Sequence, residues 1–86
     1  MLGKVKELII SSTQEDEDIF EQLGTGDSNV SAIEIKAYSE CVVDVNGSSF
    51  TIDEGEVLSL PYNFMKVRAI TALTAGVKLK IRYLVD

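Results

Sequence analysis

Fourteen carboxylates, eight basic side chains and one thiol are the groups with which this 86-residue chain could do chemistry, and it contains no histidine. The densest acidic run is Glu15-Asp16-Glu17-Asp18. A calcium loop would spread its ligands over about twelve residues, with a central glycine and a closing glutamate. That spacing is absent, so the run reads as a solvated helix start and no metal is assigned to it. Asp53-Glu54-Gly55-Glu56 gathers three more carboxylates. Paired-carboxylate hydrolysis needs a concave site and a controlled separation, whereas glycine amid acids marks a turn. Cys41 falls on the apolar phase of its segment, next to Glu40. Without a base or a positive environment it reads as a small buried hydrophobe, not a nucleophile. The hydroxyl residues lack the same base, and no Ser-x-x-Lys pattern offers a lysine in its place. Gly24-Thr25-Gly26 is too short for a phosphate loop. No catalytic residue and no cofactor is assigned, and the chain is expected to be non-enzymatic.

The basic residues are better organised. Lys78, Lys80 and Arg82 alternate along one strand face, with Lys66 and Arg68 nearby in sequence. Three roles fit such a stripe: a solvated face, an ionic contact with an acidic surface, or a nucleic-acid contact. The last fits poorly, because stacking aromatics do not alternate with the cations and the net charge is −6, opposite to what phosphate binding asks for. The charge is also unevenly divided. Residues 1–56 hold three lysines against thirteen acids, a net of −10, and residues 57–86 hold five cations against one acid, a net of +4. Acidic and basic surfaces could meet, within one subunit or between neighbours.

The elements that must carry these groups are mostly strands. Lys4 to Ser11 reads as the first. In the acidic stretch 12–29, Ser12 and Glu15 have capping-box spacing and Gly24 is a natural stop. This stretch is either a short helix, with Ile19, Phe20 and Leu23 on one face, or an acidic loop pinned by Ile19 and Phe20, followed by a flexible connection to Asn29. Val30 to Tyr38 alternates, with Ile33, Ile35 and Ala37 on one side. Cys41, Val43 and Val45 share the next inward face, and Asn46-Gly47 is the strongest hairpin signal in the chain. A return strand around Phe50-Thr51-Ile52 follows, then Val57 to Leu60, closed by Pro61. Asn63 to Ile70 alternates with Met65, Val67 and Ala69 on one side, and Val77 to Val85 gives the cleanest alternation of all. Segments this short leave no room for the helical crossovers of parallel sheets. The expected fold is therefore all-β, an antiparallel β-sandwich of jelly-roll or Greek-key type with six to eight short strands.

One domain of this size buries only about 60–65% of its unfolded surface and is marginal as a monomer. A single cysteine excludes an internal disulfide, so self-association is the expected support. Residues off the main apolar phase suggest where it would occur: Ile19, Phe20, Tyr38, Val42, Leu58 or its neighbour Val57, Ile70 and Leu84 are the candidate interface, and Lys78, Lys80 and Arg82 the candidate electrostatic contact. A competing reading makes the chain a carbohydrate- or ligand-binding sandwich that stacks on Tyr38, Tyr62, Phe64 and Tyr83. No apolar run reaches the eighteen residues or so of a membrane span, and the N-terminus lacks the apolar core of a signal peptide. Synthesis in the cytosol is expected, with neither membrane nor nucleic acid as partner.

The stretches Ala32–Ala37 and Cys41–Gly47, then Leu60-Pro61-Tyr62-Asn63, then the Gly-led closing strand Ala75–Tyr83, together resemble small β-modules of tailed bacteriophages and prophages. These are accessory virion proteins of the head-fibre base, decoration or baseplate-attachment kind. The resemblance covers roughly residues 32–85 and leaves out the acidic stretch. It implies a non-enzymatic, often trimeric protein whose partners are its own copies and another virion component. It transfers no individual functional residue.

Overall fold

A computed structural model describes residues 4–24, 30–60 and 66–85. Among these residues nine strands follow one another: β1 (Lys4–Ser11), β2 (Glu17–Asp18), β3 (Val30–Ala37), β4 (Cys41–Val45), β5 (Ser48–Ile52), β6 (Val57–Leu60), β7 (Lys66–Val67), β8 (Ile70–Ala72) and β9 (Lys78–Val85). They form two antiparallel sheets. Sheet A runs β1-β9-β3-β6, with β7 also on β3, and sheet B runs β2-β8-β4-β5. Because β9 lines one side of β3 from Val30 to Ala37, β6 and β7 both occupy its other side.

Alternation decides which side chains are enclosed, since successive residues of a strand point to opposite faces. Ile33, Ile35 and Ala37 of β3, Leu79, Ile81, Tyr83 and Val85 of β9, and Cys41, Val43 and Val45 of β4 are buried as their phase predicts, and with Ile52 and Ala72 they form one cluster drawn from both sheets. Two places depart from strict alternation. Ala32 is an extra residue between the Ser31–Leu84 and Ile33–Tyr83 pairs, with φ of 50°. This bulge brings Val30 onto the inner face although it lies an odd number of residues from Ile33. The second is the unpaired pair 68–69, where the chain leaves β3 for sheet B and the phase resets. Val67 and Ile70 are consequently both buried, while Ala69, expected to face inward, is exposed.

Asn46 governs that crossing. It opens the β4–β5 hairpin with φ of 52°, followed by Gly47 at 90°, the pair of positive angles that a two-residue hairpin with the sheet's twist requires. Its side chain then reaches the crossover. Nδ2 donates to the Lys66 carbonyl at 2.7 Å, and Oδ1 accepts from the backbone N–H groups of Arg68 at 2.7 Å and Ala69 at 3.2 Å.

Over its described residues, 12–24, the acidic stretch is not an α-helix. Glu17 and Asp18 pair with Ala72 and Thr71, Ile19 N–H donates to the Ile70 carbonyl, and a single 3-10 turn covers Phe20–Leu23 before Gly24 ends it at φ of 63°. Ser12 caps nothing. Its buried hydroxyl accepts from Val77 N–H and donates to the Thr74 carbonyl. Asp16 and Asp18 are weak helix formers, and pairing with β8 provides backbone partners that a short helix would have left exposed. Over 17–23 it is instead a two-residue strand and a 3-10 turn, anchored by Ile19, which is completely buried, and by Phe20, packed against the core. Residues 25–29, Pro61, Tyr62, Phe64 and Met65 lie outside the described residues.

Candidate interaction surface

Residues directly opposite each other in an antiparallel pair share a face, so the register spells out the outer surface of sheet A. One row runs Glu7, Arg82, Glu34, Ser59 across β1, β9, β3 and β6. The next runs Ile9, Lys80, Lys36, Val57, and the row on the other side holds Val5, Leu84 and Ser31. Tyr38, two residues beyond Lys36, continues the face. The Nζ atoms of Lys78 and Lys36 stand 5.0 and 5.8 Å from its ring centroid.

This face is unlike its counterpart. Among the described residues the large hydrophobics left exposed are Val5 (76%), Ile9 (52%), Val57 (48%) and Tyr38 (38%), and all four lie here. The outer side of sheet B carries Thr51, Ser49, Val42, Asp44 and Thr71 instead, an ordinary solvated mixture. Edges differ as well. Lys4 and Lys6 occupy the inner side of β1, opposite Val85 and Tyr83, and are exposed. Charges pointing inward on an edge strand oppose open-ended pairing with another sheet.

Charge on the outer face of sheet A is partly compensated. Glu7 accepts a hydrogen bond from Arg82 Nε at 2.8 Å and lies 3.8 Å from Lys80 Nζ. The bond from Arg82, then the Lys80 charge, hold the Glu7 carboxyl below its ordinary range. These are the ion pairs among the described residues, and they leave Lys36 and Lys78 without a carboxylate partner. A shallow cleft of about 190 Å³ lies between Glu34, Lys36, Val57, Lys80 and Arg82. A second, of about 300 Å³, opens beside the Ala32 bulge and is bordered by Val5, Leu60 and Leu84. The first is smaller than the roughly 300–1,000 Å³ of a small-molecule pocket, and the second only reaches its lower bound.

The groups first considered for chemistry are dispersed. Cys41 is 3% exposed, and burial pushes its thiol up, away from the reactive thiolate. Glu17 is occupied with local structure. It accepts from Thr13 N–H and Oγ1–H, and the first of these bonds holds its carboxyl below the usual range. Among the described residues no three of the histidine, cysteine, aspartate and glutamate class come together as a metal site, and no buried side-chain polar atom lacks a partner.

The candidate interface is redrawn. Ile19 and Ile70 are fully buried core residues, and Leu58 and Phe20 pack against that core. Leu58 sits opposite Ile35 and therefore on the inner side, which leaves its neighbour Val57 outside. Val42 lies on the other sheet. Tyr38 and Leu84 are on the outer face of sheet A, as are Lys78, Lys80 and Arg82. Val5 and Ile9 were missed; their period-two spacing with Glu7 carried the signal, but the continuous run Leu8-Ile9-Ile10 concealed which of the three faces outward. Tyr83 is buried, its hydroxyl donating to the Leu23 carbonyl at 2.7 Å, so it offers no stacking surface. No protein-family model, curated protein or solved structure matches the chain.

Proposed function

We propose that this chain is a non-enzymatic jelly-roll module that assembles with copies of itself, as a trimer, through the outer face of sheet A, and that it serves as an accessory component of a phage or prophage virion. The strand order supports the jelly-roll part. With β6 and β7 counted as one interrupted strand along β3, the first strand pairs with the last, the second with the seventh, the third with the sixth and the fourth with the fifth. A long antiparallel hairpin rolled into two sheets pairs in this way.

The observation that carries the self-association part is the gathering of every exposed large hydrophobic among the described residues on one sheet face. Scattered surface hydrophobics need no explanation, whereas a contiguous set rimmed by charge marks a contact site. The virion role rests on the resemblance of residues 32–85 described above.

Sedimentation equilibrium at micromolar concentration tests the reading. A mass three times that of the subunit is expected, and Ile9→Glu is expected to dissociate it. A wild-type protein that stays monomeric across that range overturns self-association.

A further inference from the structure

Lys36 and Lys78, which have no carboxylate partner among the described residues, lie on the outer face of sheet A, while the densest acids sit on the other sheet. Glu17 and Asp18 form the β2 edge of sheet B, and Glu15, Asp16 and Glu21 flank them; Glu17 is half-buried and the other four are exposed. No cation lies between Ser11 and Gly24. The basic corner comprises Lys36 and Lys78 around Tyr38, with Lys80 in the same row as Lys36. Among the described residues no ion pair joins the acidic turn of a subunit to its own basic corner, which leaves both surfaces to a neighbour.

We propose that adjacent copies pack head to tail, the acidic turn around Glu15 and Glu21 of one subunit lying on the Lys36–Tyr38–Lys78 corner of the next, with Ile9 and Val57 supplying the apolar part of the contact. This rests on the self-association reading above and specifies its geometry. Three considerations favour a second copy as the occupant. The two surfaces have opposite charge, which fixes register and suppresses wrong partners. Their positions on different sheets make the contact heterologous, and heterologous contacts close into rings such as trimers when the rotation permits. Finally, on a chain of net charge −6, the corner is where an acidic segment of another copy meets attraction.

Charge reversal tests the geometry separately from assembly itself. Glu15 and Glu21 suit substitution because their side chains make no hydrogen bond among the described residues, unlike those of Glu17 and Asp18. Lys36→Glu/Lys78→Glu and Glu15→Lys/Glu21→Lys are each expected to raise the dissociation constant at least tenfold, about 1.4 kcal/mol. The chain carrying all four substitutions should recover assembly. Far-UV circular dichroism and melting curves establish that each variant is folded. The proposal is overturned if reversing the acidic turn leaves the mass unchanged while reversing the corner dissociates the assembly, since the faces would then meet symmetrically. It is equally overturned if the folded fourfold variant remains dissociated. A monomeric wild type would instead refute the assembly reading on which this proposal stands, a result distinguishable from both.

Discussion

Replacing Asn46 by glycine separates the two tasks that this residue performs. Glycine accepts the φ of 52° without strain, so the hairpin geometry survives, but the three side-chain bonds to Lys66, Arg68 and Ala69 are lost. Each intramolecular hydrogen bond contributes about 0.5–1.5 kcal/mol net. These three are solvent-exposed, where water can replace the lost partner, which places each near the lower end. Their sum is about 1.5–2 kcal/mol, and glycine's larger unfolded-state entropy adds about 0.5–1 kcal/mol. A loss of roughly 2–3 kcal/mol is therefore expected for Asn46→Gly. Urea unfolding at fixed protein concentration reads this directly. With a slope of about 1–2 kcal/mol/M for a small domain, the midpoint should fall by roughly 1–3 M with the slope unchanged. Asn46→Asp supplies the complement: it keeps the acceptor for Arg68 and Ala69 but sets a carboxylate oxygen against the Lys66 carbonyl, and should be destabilising as well. A glycine variant within about 0.5 kcal/mol of wild type would refute the reasoning, because the crossover at 66–69 would then be held by something other than this clasp.

Two further outcomes are expected. Tyr83→Phe leaves the Leu23 carbonyl without its 2.7 Å donor in a buried setting and should cost about 1–3 kcal/mol; protection of the Leu23 region in hydrogen exchange should fall with it, and unchanged stability would mean that the 3-10 turn is fastened elsewhere. The Glu7 carboxyl is held below its ordinary range in the folded state by Arg82 and Lys80, so its contribution is present above the unfolded carboxylate pKa and is lost as pH falls through the lower folded value. Glu7→Gln should therefore show a smaller drop in urea midpoint than wild type between about pH 7 and about pH 3, and an identical drop in both proteins would dismiss the pair as a contributor.

The sequence by itself determined the longer strands. Period-two runs such as Val77 to Val85 placed Leu79, Ile81 and Tyr83 inside and Lys80 and Arg82 outside, because alternation is a local property of extended backbone. Asn46-Gly47 was equally legible, since positive φ at two successive residues is a local demand. Tertiary structure decided everything that depended on which strand lies beside which. The acidic stretch satisfied capping-box spacing, yet its backbone pairs with β8, a partner more than fifty residues away. Ile70 looked off-phase until the 68–69 crossing reset the alternation, and Leu58 and Val57 could be told apart only by the register of β6 on β3. The reach of Asn46 to residues 66–69 left no trace in the sequence, for the same reason. The candidate surface shows the division most plainly. Composition announced surplus apolar residues and divided charge, but cross-strand neighbours are set by pairing, and only pairing gathers Val5, Ile9, Tyr38 and Val57 around Lys36 and Lys80 on one face.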